Sequence, residues 1–581
     1  MARPRSNAEI AATFRLLADL LSLRGESIYK INAYRRAAES IAALPEPITA
    51  IRARGALDEI PGVGKEIALK IEQLLDTGSF PLLDEVQAEF PRSVAELLAV
   101  PGIGPKRAAA LYKTLGIDSK AALQRALDEG RIAATPGFGP TFAERIAAAL
   151  KTLDAADTRV PLGVARPLAL QLIAALRERV PAIVHIEAAG SIRRFRETVG
   201  DIDIVAAAPD PRAAVEAFIT LPQAARVEMH GENRCRIVLD NGLGADLWVL
   251  PEQHWGSLLV HGTGSKYHDI RLRDLAIERG ARLSEYGIEH NGVLHPCASE
   301  QEVYDFFGMQ MPPPPMRENT GEIELALRHR LPRVVTVTDL RGDMHTHSTW
   351  SDGKASIREM ALAARARGYE WLCLTDHSRG LGVANGLDAR RLREQRREID
   401  ALNAELAPFR VLQGVELEVR SSGALDLDDE TLAALDIVIA SVHSGLDQPR
   451  AKLTARALAA IRHPLVDVLA HPTGRKVSGR PGGDFDMDAI YAEAARTGTA
   501  LEIDGSPDRL DLRDVHARAA LAAGCLLTID SDAHDAEALA NIEYGVGTAQ
   551  RAWIPPDRVL NTLPLDKLLA RLKRNRAQRS F

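Results

Sequence analysis

The residues best suited to chemistry fall into two sets far apart along the chain. The first is Asp201 and Asp203 in "GDIDIVAAA". Residues two apart on a strand project from one face, so both carboxylates can hold the same pair of ions. Asp246 in "GADLWVLP" supplies a third acid on the next plausible strand. Three such carboxylates suit a two-metal centre, where paired divalent ions stabilise the attacking and leaving oxygens of phosphoryl transfer. A turn at Gly190 and Ser191 lies just upstream, with Arg193 and Arg194 as available phosphate ligands. A second turn, Gly264-Ser265, is flanked by Lys266, Arg271 and Arg273.

The second set opens with "GDMHTHSTWSDG", which holds His345, His347 and Asp352. It continues with His377 in "LTDHS", Glu416 in "GVELE", His443 in "SVHSG", His471 in "LAHPTG", and Asp532 and His534 in "DSDAHD". Nearly all stand at the C-terminal end of a predicted strand, where barrel enzymes place their chemistry. Six imidazoles and three carboxylates are enough for two or three ions with shared ligands, and this donor mixture suits zinc, manganese or iron. His463 in "IRHPLV" lies outside the pattern.

A chain of 581 residues is too long for one hydrophobic core and must be modular. Residues 1–155 carry the three-and-four spacing of amphipathic helices. Within them a small repeat recurs: "IPGVGKEIALKI", "VPGIGPKRAAAL" and "TPGFGPTFAERI". Each is a Pro-Gly-apolar-Gly turn feeding a helix, as in helix-hairpin-helix units. Gly62 and Gly64, Gly102 and Gly104, and Gly137 and Gly139 would let a DNA phosphate approach bare backbone N–H groups. Such contacts carry no sequence information. From 156 to 310 the texture is mixed α/β. "MPPPPM" then breaks regular structure, and residues 311–335 read as a proline-rich linker. Beyond it, "WLCLTD", "VLQGVELEV", "LDIVIASVH", "VDVLAH", "ALEID" and "CLLTID" alternate with helical segments, the pattern of a parallel α/β barrel.

Composition narrows the class. Hydrophobic residues at 46% and charged residues at 26% exclude a disordered chain. No window offers about 18 consecutive apolar residues, and "MARPRSNAEI" lacks the apolar core of a signal peptide, so a cytoplasmic protein with no membrane partner is expected. Four scattered cysteines give neither a disulfide framework nor a thiolate zinc site. The net charge of −7 neither supports nor excludes DNA, because a carboxylate-rich site in one domain masks a basic surface in another.

Taken in order, "IYKINAYRRAAESI", "IPGVGKEIALKIEQLLDTG", "GSIRRFRETVGDIDI", a downstream aspartate and "TGS...R" resemble family X DNA polymerases, the DNA polymerase beta group. The resemblance covers residues 1–310. It implies a lyase-like, DNA-end-binding helical domain (1–85), a helix-hairpin-helix fingers-type domain (86–155), a nucleotidyltransferase palm (156–250) and a thumb-type nucleotide-selection domain (251–310). It also implies Mg2+ or Mn2+ held by Asp201, Asp203 and Asp246, with Asp246 activating the primer 3′ hydroxyl. Gly190, Ser191, Arg194 and Gly200 would hold the triphosphate of a dNTP, and Gly264, Ser265, Asp269 and Arg273 would lie around the nucleotide, Arg273 near the templating pair. Lys30 and Tyr34 would contact DNA. Lys70 stands where the family has its Schiff-base lysine, with Lys30 and Arg35 as cations to depress its pKa.

Two departures bear on the nucleotide. Gly262 follows His261 where the family often has an aromatic, which puts ribose discrimination in question, and Asp269 replaces an expected asparagine, an acid that would lower nucleotide affinity.

The histidine set resembles the polymerase and histidinol phosphatase (PHP) superfamily over residues 336–575, which implies a distorted (βα)7 barrel with a trinuclear site hydrolysing phosphoesters; the whole segment 336–581 is read as a PHP metallohydrolase domain. Bacterial family X polymerases carry this pairing. It implies a gap-filling repair polymerase acting on gapped or nicked DNA, with 3′ to 5′ exonuclease and abasic-site cleavage activity, working at the nucleoid. The alternative is a PHP phosphatase on a DNA-binding scaffold with an idle palm; a non-catalytic DNA-end scaffold is the third reading.

Overall fold

The computed structural model describes residues 7–42, 44, 48–100, 102–156 and 159–579. Pro101 of the second repeat lies outside the described residues, as do Ser580 and Phe581. The chain divides into two compact units, Met1–Arg159 and Val160–Phe581.

The first unit is helical, from Asn7–Arg24 to Gly139–Ala156, around a core containing Phe14, Leu17, Tyr34, Phe80 and Phe90. The apolar residue inside each of the first two Gly-apolar-Gly turns, Val63 and Ile103, is buried in that core. The flanking glycines are thereby held outward. Gly62 (φ +78°) and Gly102 (φ +87°) take the left-handed conformation that side chains resist, and Gly64 and Gly104 are extended N-caps of helices Lys65–Thr77 and Pro105–Leu115. The third repeat differs: Gly137 and Gly139 both have positive φ, and its helix begins at Gly139 itself.

In the second unit a five-stranded sheet runs in the order His185–Ala188, Asp201–Ala207, Gly244–Leu250, Arg234–Leu239, Ala224–His230. Strands Asp201–Ala207 and Gly244–Leu250 are parallel and the other pairings antiparallel. Apolar residues on one face pack under helices Leu162–Arg179 and Pro211–Ile219, and Ala189, Val205 and Ala207 pack under Trp255–Thr263. A smaller three-stranded sheet, Ala281–Ser284, Gly287–His290 and Val293–His295, follows.

Residues 311–335 are not a free linker. Pro314–Met316 forms a 3-10 turn and Glu322–Leu327 a helix, while Met316, Ile323, Ala326 and Val335 are buried. Arg317 is fully buried, donating to Glu300 Oε1 at 2.5 Å and to the Pro312 carbonyl at 2.9 Å. Prolines forbid a regular ladder but not close packing, and a buried guanidinium persists only where such partners are fixed.

Seven parallel strands then follow in strict chain order: Gly342–Asp343, Trp371–Leu374, Arg410–Glu418, Ile437–Ser441, Val468–Leu469, Ala500–Asp504 and Leu527–Asp530. The Thr346–Ala533 bridge and the His347 N–H donating to the Ala533 carbonyl at 2.8 Å tie the first strand end to the last, so the barrel is nearly closed. This half is built into the sheet before it. Leu510 and Tyr544 of the barrel belong to the core under the five-stranded sheet, and Phe195 packs so closely on Gly547 that a Cβ there would overlap its ring.

Candidate functional sites

Strand pairing sets the first site. Asp203 and Asp246 are direct register partners on the two parallel strands, and Asp201 lies two residues before Asp203 on the same face. Burial, followed by the Asp201 and Asp246 carboxylates, pushes Asp203 up to about 7. Burial also raises Asp246, against the pull of Arg236 and Arg234. Such mutual destabilisation of charge at one point is what divalent cations relieve, so the three acids fit a metal pair. Gly190 (φ +52°) is required here, since a Cβ would overlap the Asp203 carboxylate. Arg236, which the sequence reading missed, reaches across from strand Arg234–Leu239 to Asp246 Oδ2 at 2.5 Å and Asp201 Oδ2 at 3.3 Å. Its alternation with buried Cys235 and Ile237 was the available signal.

Around these acids, Ser191 lies in the short helix Gly190–Arg193 and Gly200 is exposed beside Asp201. Arg193 is committed to Glu300 through a two-pronged pair at 2.8 and 2.9 Å. Arg194 bonds the Thr263 carbonyl and Glu318 (3.1 Å), and its guanidinium stands beside Gly264. Ser265 caps helix Lys266–Glu278 by accepting from the His268 N–H. Arg273 meets His261 Nδ1 at 3.0 Å. Burial pushes Asp269 up to about 7, opposed by Arg273 and Arg194, so its charge is only partly expressed near neutrality. Gly262 has its own reason to be small: a Cβ would press on Val205 at 2.7 Å, where its helix crosses the sheet.

The barrel gathers all nine residues of the histidine set at the C-terminal strand ends. Three donor groups form: His347, Asp352, His377 and His534; His345, His347 and Asp532; and His377, Glu416 and His443. His471 Nε2 joins them through Glu416 Oε1 at 2.9 Å. Among the described residues, His345 Nε2 and both ring nitrogens of His347 are buried without a hydrogen-bond partner, and His377 Nδ1 lies 2.8 Å from Glu416 Oε2. Buried lone-pair donors aimed at shared carboxylates fit several cations. Burial opposes charge on His377, yet Glu416 and Asp352 carry it up to about 10; burial together with His377 and His534 drives His347 down to about 3. Two supporting acids escaped the sequence reading. Glu502 accepts from His345 Nδ1 at 2.7 Å and Glu418 from His443 Nδ1 at 2.8 Å, fixing which ring nitrogen faces the centre. Their signal was position, since Glu502 lies on the one strand of the seven that supplied no ligand. His463 pairs instead with Asp429 at 3.3 Å, away from the site.

In the helical unit, Lys70 Nζ bonds the Glu66 carbonyl at 3.3 Å and stands 5.9 Å from the Tyr34 ring centre. The cations expected to perturb it are neutralised by acids of their own: Lys30 by Glu26 at 3.2 Å and Arg35 by Asp19 at 3.0 Å.

Family models match along the chain: a helix-hairpin-helix domain at residues 5–80, a SAM-like helix-hairpin-helix tandem at 94–152, a DNA polymerase beta thumb at 258–318 and a PHP domain at 343–496. A Bacillus subtilis relative, "DNA polymerase/3'-5' exonuclease PolX", is 38% identical over 574 residues, 98% of this chain and 99% of its own length. A probable phosphatase of Shewanella oneidensis is 28% identical over 234 residues, 38% of this chain and 88% of its own. A Thermoanaerobacter probable phosphatase is 30% identical over 232 residues. Aligned from end to end with a PolX protein and carrying its helix-hairpin-helix, thumb and PHP modules, the chain belongs to the family X DNA polymerases with a C-terminal PHP domain.

Proposed function

We propose that this chain fills short gaps in DNA by nucleotidyl transfer at Asp201, Asp203 and Asp246, and removes 3′ nucleotides hydrolytically at the histidine-rich barrel end. The pairing of a full-length PolX relative with two complete, separate donor sets carries the reading. Bound divalent cations at both sites supply the positive charge that stabilises transferring phosphoryl oxygens. Mg2+ or Mn2+ suits the all-carboxylate palm, and two or three Mn2+, Zn2+ or Fe ions suit the mixed imidazole and carboxylate site.

The chain's own groups do the rest. Asp246 accepts the proton of the primer 3′ hydroxyl. Ser191, Arg194 and Gly200 hold the dNTP phosphates, and Arg273 stands by the templating pair. Gly62, Gly64, Gly102, Gly104, Gly137 and Gly139 offer backbone N–H groups to the DNA strand, with Lys30 and Tyr34 at its end. Glu502 and Glu418 hold the histidine rings in place. The substrate is gapped or nicked DNA at the nucleoid, and abasic-site cleavage belongs to the same barrel centre. The divisions of the chain at 85, 155, 250 and 310 describe these roles, with 311–335 packed as structure before the barrel instead of a free linker. The phosphatase-only reading is not favoured, because the phosphatase relatives match 38% of the chain and leave the rest unexplained.

The test is one assay on a 5′-phosphorylated one-nucleotide gap, with Mg2+ or Mn2+, with and without dNTPs. Asp201→Ala should lose extension and keep 3′ shortening; His345→Ala should do the reverse. Two variants that both behave as wild type would sink the assignment. Lyase activity at Lys70 is tested by borohydride trapping of a 5′-deoxyribose phosphate, which Lys70→Ala should abolish.

A further inference from the structure

Where the five-stranded sheet meets the barrel there is a small open cavity, lined among others by Phe195, Arg196, Glu197, Arg513, Asp514 and Arg551. Five arginines converge on it or stand directly behind it, counting Arg194 and Arg475, against three acids, Glu197, Glu318 and Asp514. The acids are already taken. Glu197 accepts from Arg475 at 2.7 Å, Glu318 from Arg551 at 2.8 Å and Arg194 at 3.1 Å, and Asp514 from Arg551 at 2.8 Å.

Two guanidiniums are left with remote partners only. Arg196 is 3.9 Å from Glu318, and Arg513 is 3.6 Å from Glu197 and 3.9 Å from Asp514. These distances exceed a hydrogen bond. The Arg513 Nε is buried with no acceptor within hydrogen-bond distance among the described residues, whereas the side chains of Arg196 and Arg513 are 44% and 41% exposed. A buried donor without a partner is destabilising, and an anion reaching it would relieve that cost.

We propose that this cavity is a binding site for a small phosphate anion, held by Arg196 and Arg513 between the palm and the barrel. Planar guanidiniums take phosphate oxygens two at a time, and the spare donors here have that chemistry. The enclosed space is small and open to solvent on one side, which favours orthophosphate or pyrophosphate over a whole nucleotide. Neither metal-ligand set lines the cavity, and of the arginines around it only Arg194 also belongs to the proposed nucleotide site.

The experiment is calorimetric titration of the full chain with pyrophosphate, and separately with orthophosphate, in EDTA so that no cation bridges anion to carboxylate. Which of the two binds tighter identifies the source. Arg196→Gln/Arg513→Gln should weaken binding at least tenfold, while Asp201→Asn should leave it unchanged. In parallel, the unsubstituted chain is treated with phenylglyoxal and mapped by mass spectrometry, an arm that needs no variant to fold. Pyrophosphate should slow modification of Arg196 and Arg513 several-fold. Binding that survives the double substitution, binding lost instead in Arg194→Gln alone, or no protection of either arginine would each overturn the proposal.

Discussion

Asp203 and Asp246 are register partners on adjacent parallel strands, so the distance between their carboxylates is set by the sheet itself and not by a loop. Replacing either one by asparagine keeps the shape and removes a charge. Asp203→Asn should therefore lower gap extension by about 10²–10³-fold or more with little change in thermal stability. A single-turnover extension assay beside a melting curve checks both halves of that statement.

Arg236 lies against the same acids, paired with Asp246 and Asp201, and a third acid, Glu228, is 3.3 Å from its Nε. A cation entering the site must displace this guanidinium. Arg236→Ala should lower the Mn2+ concentration needed for half occupancy roughly five- to tenfold, the order of 1 kcal/mol expected of a partly exposed charge pair. Electron paramagnetic resonance of free Mn2+ reads occupancy directly; an unchanged or weaker affinity would show that Arg236 supports the acids instead of blocking them.

Glu502 acts through His345. Glu502→Gln retains a hydrogen-bond acceptor but removes the charge that orients and polarises the ring. We expect a loss of about 10–100-fold in 3′ shortening or in metal retention, with gap extension unchanged. Metal content by plasma mass spectrometry after dialysis separates the two effects.

Acid should undermine the second unit along a particular path. Burial opposes ionisation of Glu300 and Glu318, yet Arg317 and Arg193 hold the first down to about 2, and Arg551 and Arg194 hold the second down to about 2. A depressed carboxylate pKa contributes stability that is complete above the unfolded value near 4.5 and is lost as pH falls toward 2. Each contributes on the order of 3 kcal/mol. Melting temperature should drop steeply across that window, and Glu318→Gln, less stable at neutral pH, should show a shallower slope.

Much of this was legible because the chemistry sits where local pattern is strongest. Each predicted barrel strand is a strand, and its terminal histidine or acid follows from period-two alternation and strand length. The aspartate triad was readable because D-x-D on a strand has only one geometry. What escaped depends on contacts distant in sequence. Arg236 meets Asp201 across 35 residues and Glu502 meets His345 across 157, so alternation and strand position mark both residues without naming their partners. Residues 311–335 misled for a related reason: proline content predicts the absence of a ladder, while the burial of Arg317 is decided by Glu300 on another element. The pairing of Lys30 with Glu26 and Arg35 with Asp19 likewise removed the cations expected beside Lys70.

Leu510 of the barrel is 2% exposed inside the core beneath the five-stranded sheet, and Phe195, which precedes that sheet's central strands, fills the space above Gly547 of the barrel. Neither half can be cut away without opening an apolar wound in the other. The five-stranded sheet and the barrel of the second unit should accordingly melt as one calorimetric unit, and a barrel expressed from residue 336 onward should be prone to aggregation, so that its inheritance as a detachable cassette would require a repaired surface.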